Sequence, residues 1–281
     1  MGIETLDVTP TLKAEQLEPL RNQLLTSAHI GTRIEDSTLI TCEGQTKALL
    51  LKEELPDAHY RPALKALELM RFNPVKNSRR GAVKVSKTGS DLLMGWIDIA
   101  GAKDEDILRA GNRDNFFLAM RLVPLLRDME YAMEKYLPEY WKFHLEQAMR
   151  LVRPDKTLKS LHRMADPFQR QMLERWNHTD YYHFMGVRAF STLTLNHNIT
   201  FGAHDDGRNV PGTLSCLTAL GNYAGGTLCF PRLGVSFDLQ PRDLLIADTN
   251  TEFHGTVGEP FGSRYSIVAY LHGSLLPKGD L

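Results

Sequence analysis

The chain has 281 residues, 42% of them hydrophobic, which supports a sizeable buried core and excludes a disordered or fibrous protein. Lys plus Arg number 33 and Asp plus Glu 34, so a net charge of -1 excludes any global pull toward nucleic acid or membrane, and a polyanion site must be local. The three cysteines, Cys42, Cys216 and Cys229, have no CxxC or CxxH spacing, which argues against a disulfide scaffold or a structural zinc site.

From the N-terminus, the acidic opening MGIETLDVTP resembles neither a signal peptide nor a lipidation signal, and no apolar run reaches the roughly 18 residues of a membrane span. An intracellular protein without membrane attachment is expected. Residues 11–70 are mildly acidic and mix short helical patterns such as TLKAEQLEPLRNQLL with strand-like runs at STLITC and KALLLK. The next stretch, RFNPVKNSRRGAVKVSKTGS at 71–90, has six Lys or Arg and no acidic residue, and Pro74 and Gly81 break regular structure there. It reads as an exposed basic loop. From Asp106 to about Val152 apolar positions recur at helical spacing, with Pro124 and Pro138 marking kinks or fresh helix starts. Residues 150–178 form a second basic stretch, seven Lys or Arg against three acidic residues. After Gly186 the texture turns to β. FSTLTLN, GTLSCLTAL, GTLCF, VSFDL, DLLIAD and RYSIVAYLH are short runs separated by Gly, Asn, Asp and Pro turns, as in a sandwich or jelly roll.

The chemistry concentrates in AHDDGRN, residues 203–209. His204 and Asp206 are two apart, so on extended chain their side chains leave one face while Asp205 points away. His254 follows a later strand by a turn and is placed to return to the same end of the sandwich. Two histidines and one carboxylate make the facial triad of non-haem Fe(II) oxygenases, with adjacent coordination positions left open. Ten residues on, Arg264 opens the strand RYSIVAY, where its guanidinium can clamp a carboxylate, and Ser266 adds a hydroxyl on the same face. A metal with a carboxylate clamp points to a 2-oxo acid. His144, His162, His183 and His197 sit in no such arrangement and read as core or surface residues.

The segment from about Phe190 to His272 resembles the catalytic core of the 2-oxoglutarate and Fe(II)-dependent dioxygenases. Within that superfamily STLTLNHN, HDDGRN, LGNYAGGTLCFPRLGVSFDLQPRDLLI and FHGTVGEPFGSRYSIVAY look most like the TET/JBP group, nucleic-acid 5-methylpyrimidine oxygenases. The resemblance implies an α+β fold, a double-stranded β-helix or jelly-roll core with a helical layer and an N-terminal elaboration. Residues 1–281 would be a single catalytic domain, 1–185 the helical and mixed elaboration and 186–281 the core. It implies Fe(II) on His204, Asp206 and His254, 2-oxoglutarate held by Arg264 and Ser266, and O2 as co-substrate. The reaction would oxidise the methyl group of 5-methylcytosine, or of thymine, in DNA; the alternative is a 2-oxoglutarate-dependent hydroxylase of a small molecule or amino acid. Asn209 would read the target base or merely close an Asx-type turn, the two readings weighing equally. A duplex base must be flipped to reach such a centre, with Tyr181, Tyr182 or Phe184 available to stack and Arg79, Arg80 and their basic neighbours to meet phosphates. The sequence departs from the group where Pro241-Arg242-Asp243 replaces a frequent Pro-Gly-Asp turn, and it lacks the cysteine-rich insert of the animal enzymes.

Overall fold

The computed structural model describes residues 2–74, 89–96, 108–109, 115, 118–151 and 187–273. The chain starts with β1 (Glu4–Val8), then the single-turn helix α1 (Ala14–Leu17). TLKAEQLEPLRNQLL is therefore helical over only part of its length. A 3-10 turn carrying Pro19 follows at Glu18–Leu20, Asn22 takes a left-handed φ of 63°, and Arg21 then bridges to Ala203 instead of continuing a helix. Next come β2 (Thr32–Ile34), β3 (Thr38–Cys42) and β4 (Gln45–Leu51). The β3–β4 hairpin turns through Glu43 and Gly44, both at positive φ (54° and 74°), as a two-residue turn matched to strand twist requires.

Helix α2 (Asp57–Leu69) and strands β5 (Asn73–Pro74), β6 (Ser90–Trp96) and β7 (Leu108–Arg109) precede α3 (Val123–Tyr136) and α4 (Pro138–Leu151). Pro124 and Pro138 fall in the first turns of α3 and α4, where a missing N–H costs nothing. The last seven strands are β8 (Thr192–His197), β9 (Ser215–Ala224), β10 (Thr227–Phe230), β11 (Val235–Phe237), β12 (Leu244–Ala247), β13 (Gly255–Val257) and β14 (Phe261–Tyr270). Each matches one of the β-like runs in the sequence except β13, which is too short to register as a pattern.

A ten-stranded sheet runs β1-β3-β4-β12-β9-β14-β8-β6-β5, with β7 beside β6, and a four-stranded sheet runs β13-β10-β11-β2. From β8 onward the chain alternates between them: β8 in the large sheet, residues 203–204 against the small one, β9 back, β10 and β11 small, β12 large, β13 small, β14 large. That winding is a double-stranded β-helix. The N-terminal strands extend it, β4 on the flank of β12 and β2 on the flank of β11.

Two apolar cores follow from strand alternation. Leu217, Ala219, Phe230, Phe237, Leu245 and Ala247 fill the space between the sheets, with Phe230 and Phe237 edge to face at 5.7 Å. Burying each such phenyl ring stabilises the fold by about 1.5–3 kcal/mol. The opposite face of the large sheet, through Leu193, Leu195, Leu220, Ile246, Ile267 and Ala269, packs on α2, α3 and α4.

Polar groups tie this helical layer to the chain entering β8. The buried Glu130 carboxylate of α3 accepts the backbone N–H groups of Arg188 and Ala189, while His144 of α4 donates from Nδ1 to Ala189 O and accepts the Leu214 N–H at Nε2. In the Pro241-Arg242-Asp243 turn, Arg242 holds a φ of 75° where glycine would be unstrained. Its guanidinium donates to Leu55 O at 2.9 Å and Glu53 O at 3.3 Å, an anchor that glycine lacks. Among the described residues no helix is long and apolar enough to cross a membrane.

Burial raises Glu130 from 4.5 to about 7 and lowers His144 from 6.5 to about 4, so the two act oppositely on stability. The Glu130 contribution is fully present below about pH 4.5 and is lost as pH rises through 7. Neutral His144 contributes above 6.5, and that contribution is lost as pH falls toward 4. Glu130→Gln removes only the first. Urea denaturation of metal-free protein should therefore show the variant gaining stability more steeply than wild type, diverging by about 2 kcal/mol from roughly pH 5 to roughly pH 6.5. Parallel profiles would refute the assignment.

Candidate metal and co-substrate site

His204 and His254 face each other across a one-rung antiparallel bridge, His204 N–H to His254 O at 2.9 Å and His254 N–H to His204 O at 2.8 Å. Their ring centroids lie 4.4 Å apart. Each imidazole donates Nδ1–H to a carbonyl, His204 to Gly202 at 2.8 Å and His254 to Glu252 at 3.0 Å, which leaves both Nε2 atoms as bare acceptors. Both Nε2 atoms point at one carboxylate: His204 Nε2 is 3.8 Å from Asp206 Oδ1 and His254 Nε2 3.8 Å from Asp206 Oδ2. Asp206 is placed by its own N–H, bonded to Thr249 O at 2.8 Å. One ligand atom from each residue falls within 4.8 Å of the others, and this is the one such His and carboxylate cluster among the described residues. Burial first, and the neighbouring His204 second, push His254 down to about 4, so it presents a neutral nitrogen at ordinary pH. Asp205 turns away, as the alternation predicts, and pairs with Arg21 at 2.8 Å.

On β14, Arg264, Ser266, Val268 and Tyr270 share one face, and Val268 packs in the inter-sheet core. His254 belongs to the same interior, its ring 5.6 Å from Phe230. Arg264 lies in this interior with its Cζ 5.5 Å over the Tyr223 ring. Burial lowers its pKa, and its sequestered Nε has no hydrogen-bond partner. Among the described residues no carboxylate lies within ion-pair distance of it. Gly226, at a left-handed φ of 75°, packs against it; a Cβ there would be in ordinary contact, 3.6 Å from Arg264 Cδ and 3.7 Å from Nε. A buried guanidinium with no carboxylate beside it is costly unless an anion completes it. Beside it, Asn196 Nδ2 donates to Ser266 Oγ at 3.1 Å while buried Asn196 Oδ1 is left without a partner. The donor set fits a divalent iron, and the cationic, hydroxyl-lined wall fits a dicarboxylate such as 2-oxoglutarate.

Asn209 is buried beside the turn that follows Asp206. Its N–H closes the turn on Asp206 O at 2.8 Å, while its buried amide donates to Ser215 Oγ at 3.3 Å, and Ser215 meets Thr249 Oγ1 at 2.7 Å. Asn209 also bridges His272, whose ring is 6.1 Å from Tyr270. Asn196, Tyr223, Tyr270 and His272 were not singled out from sequence. Stepping by two from Arg264 through Ser266 would have reached Tyr270 and His272. His144 is buried core and His197 stacks on Tyr265 at 4.4 Å, as expected of residues outside the site. Arg79, Arg80, His162, His183, Tyr181, Tyr182 and Phe184 lie outside the described residues. Arg71 is described and exposed, its N–H on Asn115 Oδ1. A groove of about 520 Å³ lined by Tyr60, Arg61, Glu68 and Tyr265 opens on the helix-facing side of the large sheet, away from the Arg264 face.

The model of the Tet_JBP family, the oxygenase domain of the 2OGFeDO superfamily, matches residues 121–273, more than half of the chain. The chain belongs to this family. The Tet_JBP match contains all of His204, Asp206, His254, Arg264 and Ser266. Thymine dioxygenase JBP1 of Leishmania infantum is 33% identical over 251 residues, covering 86% of this chain and 26% of that protein. The bifunctional helicase and thymine dioxygenase JBP2 of the same organism is 31% identical over 283 residues, 98% of this chain and 22% of that one. The chain thus spans about a quarter of the length of these curated relatives. NgTET1 in complex with 5mC DNA aligns with a TM-score of 0.48 at 14% identity, covering 86% of this chain and 78% of that one.

If Arg264 clamps the distal carboxylate of 2-oxoglutarate, Arg264→Met should weaken 2-oxoglutarate binding to metal-loaded protein by about 100-fold without loosening the metal. Calorimetric titration of both ligands checks this, and unchanged 2-oxoglutarate affinity would remove Arg264 from the site.

Proposed function

We propose that this Tet_JBP domain is a 2-oxoglutarate- and Fe(II)-dependent dioxygenase that oxidises the 5-methyl group of a pyrimidine, 5-methylcytosine or thymine, in DNA. The observation that carries the reading is the coexistence, inside one double-stranded β-helix, of a converging His204, Asp206 and His254 with a buried Arg264 guanidinium that meets no carboxylate among the described residues. A pure binding module has no use for both. His204, Asp206 and His254 would hold iron, and Arg264 and Ser266 the C5 carboxylate of 2-oxoglutarate. Bound together with O2, these supply oxidation of an unactivated C–H bond coupled to decarboxylation of the co-substrate.

The chain's own contribution is placement and dryness. The Nδ1 bonds of the two histidines orient the rings with Nε2 toward Asp206, so neither ring must reorganise to bind metal. The inter-sheet core around Phe230 keeps bulk water from the metal side of the interior. No acid or base is needed from the protein at the methyl group; the task is to hold that carbon in reach and in line. Asn209 and His272, joined through backbone beside Asp206, would meet the edge of a flipped base, and Arg208, exposed in the same turn, adds a cation at the rim. Arg79 and Arg80, with the rest of the basic stretches, would meet phosphates. Relatives named thymine dioxygenases that cover 86% and 98% of the chain support a pyrimidine methyl group as the target.

The test is turnover of anaerobically Fe(II)-loaded protein with 2-oxoglutarate and O2 on a duplex carrying both 5-methylcytosine and thymine, the digested nucleosides read by mass spectrometry. One added oxygen on either base, absent from His204→Ala, is the expected result and names the base. Succinate without base oxidation would move the substrate to a small molecule or amino acid, and neither product from folded, iron-loaded protein would overturn the oxygenase reading.

A further inference from the structure

A buried ion cluster outside the ligand set grips the turn that carries the ligands' backbone partners. Glu252 is 1% exposed, and its carboxylate takes Arg232 at 2.8 Å through Nε and 2.6 Å through Nη2. Lys47 of β4, 5% exposed, reaches Glu252 Oε1 at 3.2 Å and Asp248 Oδ2 at 3.0 Å. One ammonium thus binds acids at both ends of the segment Asp248–Glu252. The turn is closed further by the Thr251 N–H on Asp248 Oδ1 at 3.1 Å and the Glu252 N–H on Asp248 O at 3.1 Å.

Two carbonyls leave this turn for the metal ligands: Thr249 O accepts the Asp206 N–H, and Glu252 O accepts His254 Nδ1–H. The same N-terminal arm reaches the other ligand strand. Asn22 N–H bonds Ala203 O at 2.7 Å, Ala203 N–H bonds Gln23 O at 2.8 Å, and Arg21 pairs with Asp205 while lying 4.5 Å over the Phe253 ring. All of these arm residues precede the family-matched segment, which begins at residue 121.

We infer that Lys47 is a positioning residue for the metal centre: by holding Asp248 and Glu252 together it sets the two carbonyls that orient Asp206 and His254. This rests on the metal reading of His204, Asp206 and His254. Removing the ammonium takes away the one charge that bridges the two ends of the turn: Glu252 keeps Arg232, the half-buried Asp248 loses its cation, and the turn is no longer held closed from β4. Both orienting carbonyls move with it. Outer partners of metal ligands typically govern metal affinity by 10- to 100-fold, on the order expected here.

The probe is Co(II), titrated into the metal-free 281-residue chain and read from its visible d–d bands, whose position and intensity report coordination geometry. Lys47→Met is expected to weaken Co(II) binding by about 10- to 100-fold and to shift the bands, while Lys47→Arg, which keeps the charge, restores both. His204→Ala marks the loss of a ligand itself. A Lys47→Met protein that melts cooperatively and keeps wild-type affinity and bands overturns the inference. Should that variant fail to fold, Asp248→Asn decides by the same two readouts, because it keeps the acceptor for Thr251 N–H while weakening the grip of Lys47. Wild-type protein that binds no Co(II) would overturn the metal reading together with this inference, an outcome distinct from wild-type and variants binding equally.

Discussion

The centre depends on one rung of backbone pairing, the reciprocal hydrogen bonds between His204 and His254. Residues directly opposed on antiparallel chain bring their side chains within reach of one another, so this single register puts two imidazoles on the same side without any covalent constraint. A slip of one residue would send one ring to the other face and abolish the cluster. The register is defended on both sides. Ala203 pairs with the N-terminal arm, β13 pairs with β10, and the Phe230 ring backs His254 in the apolar interior.

That interior carries an unfavourable load. An arginine without an acid partner among the described residues and an asparagine oxygen without a donor lie on a wall shared with Ser266, Tyr223 and apolar residues such as Leu217 and Val268. Each would lower the stability of a protein selected only to fold, by about 1–3 kcal/mol for a neutral group and more for a charge. Ser266 engages Asn196 through Nδ2 and so leaves the Asn196 Oδ1 open. The wall lines the same interior as the Phe230 ring that backs His254, where an anionic co-substrate would complete it.

The N-terminal arm is part of the same construction. Strands β3 and β4 widen the large sheet, β2 closes the far flank of the small one, and Arg21 and Lys47 reach toward the two segments that bear the ligands. An elaboration on a jelly roll can be simple cover; here its charged residues are bonded to the turns from which Asp206 and His254 are held.

Much of this was legible from residue order because it rests on local periods. Short runs between turn residues marked six of the seven core strands, prolines marked the starts of α3 and α4, and HxD followed by a distant His and Arg marked the three side chains that converge and the arginine buried in the inter-sheet interior. Local pattern also misled, since TLKAEQLEPLRNQLL has helical spacing yet yields a single helical turn once Pro19 and Asn22 intervene and residues 21–25 find strand partners. Residue types and spacing by themselves determined which side chains this protein brings to its centre and that two sheets would carry them. Only the tertiary structure decided that Arg264 has no acid beside it among the described residues, that Asn209 is held by Ser215, and that Lys47 grips the turn behind His254. Those pairings join residues far apart in the chain, and no local period records which distant partner a buried charge will meet.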